Sequence, residues 1–201
     1  MIDKESNHKR YVDILLGTGR AVTDAIETLE GLGFFEAPAS ASNHLAEAGG
    51  LCQHSLNVYD QAMAIRKAQI SLGCDPKRIP EDSVAIVSLF HDVCKAEIYS
   101  PKEKFRKDDK GKWERYQGWE KDCSLYPLGH GEKSVMRLLR WGVDLDLAEM
   151  CAIRWHMAAW DLPESKEAKD NFSAACQQFP LLPLLIAADE LATRITEVRD
   201  E

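Results

Sequence analysis

The segment VAIVSLFHD, residues 84–92, is an apolar run that ends in a histidine followed by an aspartate. The run predicts a buried helix over Glu81–Lys95. Neighbouring residues on a helix point about 100° apart, so His91 and Asp92 cannot lie on one face. They can hold a single ion from two sides near a helix end, where the backbone opens. Imidazole and carboxylate are typical ligands of borderline divalent metals.

Helical periodicity extends outward from this segment in both directions. Further helices are predicted in six stretches: Tyr11–Leu32, Leu51–Leu72, His130–Trp141, Leu145–Ala159, Glu164–Phe179 and a last one from Pro183 to Arg199. The stretch Phe34–Gly50 is rich in Ala, Ser, Pro and Gly, which predicts a loop. No linker or repeat divides the sequence, so we expect a single all-α domain over residues 1–201.

The stretch Tyr99–Leu125 differs from the rest because it is dense in charged and aromatic residues. The turn sequence DKGK, residues 109–112, lies between Phe105 and Trp113. This pattern predicts a short β-hairpin around residues 105–118. The hairpin either covers a pocket or is simply solvated, and we favour the solvated arrangement.

Composition and charge restrict the class of protein. The 201 residues carry 25 Lys and Arg against 33 Asp and Glu, a net charge of −8, whereas proteins that hold duplex nucleic acid usually present a basic surface. We therefore expect no duplex partner, although a small phosphorylated ligand is compatible with a local basic pocket. The six cysteines are widely spaced and predict free thiols. No apolar run resembles a signal peptide or a membrane span, so we expect a cytoplasmic protein without a membrane partner.

Two other segments place metal-competent side chains in apolar surroundings. His54 lies in the first turns of a predicted helix, shortly after the pair Gly49 and Gly50. Asp189 lies inside the apolar run IAADELA, residues 186–192. A carboxylate buried there is costly unless it is paired or bound to a cation. Taken by itself, Asp189 fits a buried salt bridge or a helix cap as well as a metal ligand.

The order His54, then His91 and Asp92, then Asp189 resembles the H…HD…D signature of the HD superfamily of metal-dependent phosphohydrolases. The motifs GGLxxHSL and LxHDxxK around the first two positions are also similar to that family, and the likeness extends over residues 43–193. The resemblance implies a compact helical HD-domain bundle. It also implies that the four side chains bind one divalent ion.

In family members with two ions, two further histidines lie between the HD pair and the last aspartate. His130 and His156 match those positions, and the resemblance implies that Asp92 then bridges both ions. Taken alone, His130 also fits an ordinary helix N-terminus, and His156 an ordinary core position. The pattern also resembles the HD half of certain bacterial three-prime exoribonucleases. We do not expect their separate nucleic-acid-binding module here, nor a polymeric RNA substrate.

Several basic residues are candidates for phosphate binding. Lys95 follows Asp92 by three residues and shares its face on a continuing helix. We therefore expect Lys95 to contact a substrate phosphate or an oxygen bound to the metal, and to act with Asp92 as a catalytic residue. The weaker candidates for substrate binding are Lys133, Arg137, Arg154 and the loop residue His44. All of these, including Lys95, also fit solvated side chains without a functional role.

Together these motifs predict a phosphohydrolase that cleaves a phosphoester of a nucleotide or other small phosphorylated substrate with a metal-activated water. Its cofactor is one or two divalent ions among Mn, Fe, Co, Ni, Zn and Mg, since the ligand types do not select one metal. Two alternatives share the same ligands. One is a diiron HD-type oxygenase acting on a small polyol or phosphonate, and the other is a non-catalytic nucleotide-binding sensor. Lys95 and the nearby basic residues favour the hydrolase.

Overall fold

The computed structural model describes residues 2–122, 124, 127–162 and 164–198. The chain is mostly helical, with 60% of its residues in helices and a small two-stranded antiparallel sheet. The helices are α1 (Lys4–Gly17), α2 (Thr23–Gly31), α3 (Gly50–Ser71), α4 (Glu81–Phe90), α5 (His130–Arg140), α6 (Leu147–Trp155), α7 (Lys166–Gln178) and α8 (Leu181–Leu191). Short 3₁₀ helices cover Pro76–Arg78, Val93–Glu97 and Ala158–Trp160, and a π-helical turn covers Ala192–Thr196. The strands are β1 (Tyr99–Lys107) and β2 (Trp113–Lys121).

Helix α4 forms the centre of the fold. Every residue from Ser83 to Phe90 is buried, because α1, α3, α6 and α8 all pack around it. Burial of a large aliphatic or aromatic side chain contributes roughly 1.5–3 kcal/mol. The one polar group that Tyr11 brings into this core is satisfied, since its hydroxyl donates to the Leu89 carbonyl at 2.8 Å. The C-terminal end of α4 therefore lies where several helices meet.

The start of α3 explains the pair of glycines in the sequence. Gly49 has φ of +83°, a backbone conformation that a residue with a Cβ rarely adopts. A Cβ on Gly50 would lie 2.0 Å from the carbonyl oxygen of Leu45. The loop before α3 therefore passes so close to the helix that only glycine fits, and this approach directs His54 inward one turn later.

The hairpin is longer than the predicted residues 105–118. Its strands pair from Tyr99 opposite Lys121 to Lys107 opposite Trp113. The turn is held by Asp108, whose side chain accepts hydrogen bonds from the backbone of Lys110 and Lys112 at 2.9 and 2.8 Å. The turn sequence marks the middle of the hairpin and does not show where the pairing stops. The prediction of a mostly helical chain with a hairpin is confirmed.

Several helix boundaries differ from the prediction, among them the following three. The stretch Tyr11–Leu32 contains two helices, because the chain turns between Gly17 and Thr23. The predicted helix Glu81–Lys95 ends as an α-helix at Phe90 and continues as a 3₁₀ helix. The last helix begins before Pro183, which is tolerated because the first N–H groups of a helix have no partner within it.

Some expectations concern residues outside the described ranges. Arg199, the predicted end of the last helix, is one of them, as are Cys123 and Leu125. The cysteines that the structure describes are free thiols, as predicted: Cys52, Cys74, Cys94, Cys151 and Cys176. Within the described ranges, no helix combines the length and the apolarity needed to cross a membrane.

Candidate metal centre

A cluster of buried histidines and carboxylates lies at the C-terminal end of α4. The side chains come from four helices: His54 from α3, His91 and Asp92 from the end of α4, His156 from the end of α6, and Asp189 from α8. We call these five residues the metal corner. The first and the last of these residues, 54 and 189, are 135 positions apart in the sequence. The fold brings all five together.

His91 and His156 are oriented by the same local device. Each is the C-cap of its helix. The Nδ1 atom of His91 donates to the Ser88 carbonyl at 2.8 Å, and that of His156 donates to the Ile153 carbonyl at 2.7 Å. A carbonyl only accepts, so Nδ1 carries the proton in both neutral rings and Nε2 keeps its lone pair. A histidine that binds a metal through Nε2 must carry its proton on Nδ1, and both rings have this tautomer.

His54 is oriented by a carboxylate instead of a carbonyl. Its Nδ1 atom lies 3.0 and 3.2 Å from the two carboxylate oxygens of Glu197, and Asn57 donates to the same Glu197 side chain at 2.9 Å. On the other side of the ring, Nε2 lies 3.3 Å from Asp189 Oδ1 and 3.3 Å from His91 Nε2. A carboxylate that holds the far nitrogen of a histidine is the usual support of a metal-binding imidazole.

The two oxygens of Asp92 face different partners. Oδ2 lies 3.3 Å from His91 Nε2, 3.6 Å from His54 Nε2 and 2.6 Å from Lys95 Nζ. Oδ1 lies 3.5 Å from His156 Nε2 and contacts His130 Nε2. Asp92 therefore stands between two groups of imidazoles, with one oxygen directed at each.

The electrostatics of the corner favour ionised carboxylates. Burial by itself raises the pKa of Asp92, but Lys95, His91 and His130 outweigh it and hold that pKa well below its usual range. Burial likewise raises the pKa of Asp189, but the contact with His54 outweighs burial and holds that pKa below its usual range. Burial lowers the pKa of His54, yet Asp189 and Glu197 together raise it to about 10. The corner thus concentrates negative charge that only a cation can balance, whether a proton on His54, the Lys95 ammonium or a metal ion.

The donor set fits a divalent metal ion. His54, His91 and Asp189 offer ligand atoms that all lie within 4.8 Å of one another, and so do His91, Asp92 and His156. The Nε2 atom of His156 is buried without a hydrogen-bond partner among the described residues, and such an atom is costly unless something binds it. Mixed imidazole and carboxylate ligands suit borderline divalent ions.

Three other predicted site residues border the corner. His130, at the start of α5, contacts Asp92 and lies with its Nδ1 3.3 Å from the Cys94 sulfur. Lys95 lies on the 3₁₀ helix after Asp92 and forms the ion pair already described, where Asp92 raises the pKa of its ammonium despite burial. His44, in the loop before α3, has its Nε2 3.9 Å from a Glu197 oxygen.

The remaining predicted phosphate contacts are engaged elsewhere. Arg137 pairs with Glu97 and lies over the Trp141 ring at 5.9 Å. Arg154 pairs with Glu132 and lies 3.9 Å from the centre of the Trp155 ring. Lys133 is buried on α5. None of the three basic residues belongs to the lining of the cavity that reaches the metal corner.

That cavity has a volume of about 520 Å³. Its floor is formed by metal-corner side chains, and Lys95 and His44 lie along its wall. The sequence analysis did not single out four polar residues that also line it: Asn43, Glu190, Thr193 and Arg194. We call this space the site cavity.

Glu197 is the most important residue that the sequence analysis missed. Glu197 lies eight positions after Asp189 in the sequence. On a regular α-helix this spacing would place the two side chains about 80° apart. The π-helical turn Ala192–Thr196 adds one residue to the turn, and Glu197 N donates to Ala192 O at 2.9 Å. Glu197 is thereby brought to the face of Asp189. A second carboxylate about two turns after a candidate ligand is the only sequence signal, and it is a weak one.

Comparison of the chain with protein-family models, with curated proteins and with solved structures gives no match.

Proposed function

We propose that this chain is a metal-dependent phosphohydrolase of the HD type, which cleaves a phosphoester of a nucleotide or other small phosphorylated compound. One observation carries the proposal. Three buried imidazoles and two carboxylates converge at one corner of the fold, and all of them except His91 line a cavity whose wall also holds the Lys95 ammonium. The order of these residues in the chain is the order of the HD signature.

The residues that would hold an ion are His54, His91, Asp92 and Asp189. His130 and His156 face the second oxygen of Asp92, so they are the residues that would hold a second one. A bound divalent ion would lower the pKa of a water molecule and neutralise charge on the phosphoryl group.

Lys95 has the chemistry and the position to orient the substrate. Its ammonium lies 2.6 Å from Asp92 Oδ2 and lines the site cavity. One of its three N–H groups is used by Asp92, and the others can donate to phosphate oxygens. Asp92 thus fixes the cation in place, and charge-assisted hydrogen bonds from a fixed cation hold an anionic group in one orientation.

Glu197 and the backbone carbonyls of Ser88 and Ile153 prepare the imidazoles. They hold the proton of each ring on Nδ1, so no ring has to change tautomer when its Nε2 is used. Burial of the corner keeps water away from these contacts and so strengthens them.

A phosphate-release screen tests the proposal. Purified protein is assayed with nucleoside mono-, di- and triphosphates for release of phosphate or pyrophosphate, and with cyclic nucleotides and short oligonucleotides for release of nucleoside monophosphate. Each substrate is tested with Mn²⁺, Co²⁺, Ni²⁺, Zn²⁺ or Mg²⁺. We expect release with at least one pairing, its loss in Asp189→Asn, and its retention in Asp13→Asn. Asp13 is an exposed carboxylate of α1 paired with Lys9, so it controls for the loss of one negative charge.

Two results would reject the proposal. Turnover that survives in Asp189→Asn would show that the metal corner is not the reaction site. Tight nucleotide binding without release under any metal would point to a sensor instead of an enzyme.

A further inference from the structure

The site cavity has two chemically different walls. One is apolar and comes from the short segment Met157–Trp160 together with Ile186. The other is polar and includes Asn43, Thr193 and Arg194. A ligand with one flat apolar part and one anionic part would match both walls, with its anionic part beside the Lys95 ammonium.

Trp160 is the most unusual residue of the apolar wall. Its side chain lines the cavity, yet 74% of the residue is exposed. Three other tryptophans have a ring or cation partner: Trp155 packs against Phe172 and Arg154, Trp113 lies against Lys107, and Trp141 lies against Arg137. In the described part of the chain, no aromatic ring or cation covers the Trp160 indole.

The backbone around Trp160 has a defined local conformation. Trp160 belongs to a 3₁₀ turn in which its N–H donates to the Met157 carbonyl at 3.0 Å. Ala158 has φ of +45°, a left-handed conformation that is unfavourable for a residue with a Cβ. Strained backbone of this kind is retained mostly at functional sites. The turn starts directly after His156, so the backbone of Trp160 lies close along the chain to the metal corner.

We propose that Trp160 is a stacking platform for the base of a nucleotide, with the phosphate directed toward Lys95 on the cavity wall. The inference rests on the proposed function and narrows its substrate class to nucleotides. An indole face stacks on any nucleobase. The polar wall holds the Asn43 amide, which has both donors and an acceptor for a base edge.

The size of the cavity supports a mononucleotide. Its volume of about 520 Å³ lies inside the range of small-ligand pockets, roughly 300–1,000 Å³. A sugar phosphate without a base would leave the indole uncovered. Such a ligand would gain nothing from the apolar wall, so the wall separates nucleotides from other small phosphorylated compounds.

Binding without turnover provides the test. Chelator-treated protein is titrated with AMP, GMP, CMP and UMP and, in parallel, with ribose 5-phosphate, by calorimetry and by tryptophan fluorescence. We expect millimolar or tighter binding of at least one nucleotide with partial quenching. Trp160→Ala should weaken that binding by about 5- to 150-fold and leave the affinity for ribose 5-phosphate unchanged.

Two further variants make the result specific. Trp160→Phe keeps an aromatic face, so it should retain most of the nucleotide affinity but lose the quenching. Trp113→Ala removes an exposed hairpin indole, 65% exposed, and should change neither signal. The proposal is overturned if no nucleotide binds, if Trp160→Ala binds nucleotides as well as the native chain does, or if that variant weakens ribose 5-phosphate equally.

The outcome separates this inference from the proposed function. Nucleotide binding that depends on Trp160, with no phosphate release under any metal, would keep the platform and reject the hydrolase. Phosphate release that is unaffected in rate and KM by Trp160→Ala would keep the hydrolase and reject the platform.

Discussion

The metal corner and the β-hairpin are both rich in opposite charges, but they place them differently. In the corner, the side chains of His91 and Asp92 are 0 and 2% exposed. In the hairpin, the paired side chains of Arg106 and Glu114 are 64 and 43% exposed. The two regions are adjacent in the chain, since β1 begins seven residues after Asp92.

The contrast shows that burial decides what a charge pair does. Water screens the hairpin pairs, so each contributes little to stability. In the corner the charged groups have lost their hydration and depend on one another, so removal of one leaves the others uncompensated. The same residue types therefore form screened surface ion pairs in the hairpin and a candidate binding site in the metal corner.

The largest effect is expected when Asp92 is removed. Asp92→Ala removes a buried carboxylate that pairs with Lys95 at 2.6 Å and contacts the surrounding imidazoles, and we expect a loss of about 3–5 kcal/mol in the free energy of unfolding. Urea denaturation of chelator-treated protein measures it, with Glu114→Ala in the hairpin as the matched control. A loss below about 1 kcal/mol, the range of exposed pairs, would mean that the corner behaves like the hairpin.

Addition of a divalent metal should stabilise the corner and leave the hairpin unaffected. An ion that binds only the folded chain, supplied at 100 times its dissociation constant, adds about 2.7 kcal/mol to the free energy of unfolding. We expect this gain in the native chain and in the hairpin variant Arg106→Ala. Thermal unfolding with and without Mn²⁺ checks it. An equal gain in Asp189→Asn would place the ion outside the metal corner.

Glu197 should affect metal affinity more than stability. It holds His54 Nδ1 at 3.0 Å, and loss of such a support typically lowers metal affinity 10- to 100-fold. We expect that decrease in Glu197→Ala and a smaller one in Glu197→Gln, measured by calorimetric titration. Glu167→Ala is the control, because Glu167 is an exposed carboxylate in the first turn of α7. Unchanged affinity in Glu197→Ala would show that His54 needs no carboxylate support.

The smallest effect is expected for a hairpin ion pair. A double-mutant cycle with Arg106→Ala and Glu114→Ala should give a coupling energy of about 0.2–1 kcal/mol. It should shrink at 1 M salt, where screening acts over about 3 Å. A coupling above about 2 kcal/mol that survives salt would contradict the distinction between the two regions.

Local patterns predicted most of the fold because they depend on near neighbours. The apolar run before His91, the glycine pair before α3 and the turn around Gly111 are each properties of a few consecutive residues. The boundaries that differed were set by tertiary contacts. The helix predicted through Lys95 changes to a 3₁₀ helix after Asp92, as the chain leaves the centre of the fold and enters the hairpin.

The order of histidines and aspartates along the sequence predicted part of the candidate site. That order identified His54, Asp189 and His156, which the structure brings together with the HD pair. It could not identify Glu197, because a π-helical turn changes the helix phase. The order also could not predict the ion pairs of Arg137 and Arg154, because their partners Glu97 and Glu132 become neighbours only in the folded chain.

Anomalous diffraction from a crystal of the native chain grown with Mn²⁺ tests the central claim most directly. The account predicts a peak within bonding distance of His54, His91, Asp92 and Asp189. A peak located elsewhere, or these four side chains pointing away from one another around no ion at all, would contradict it.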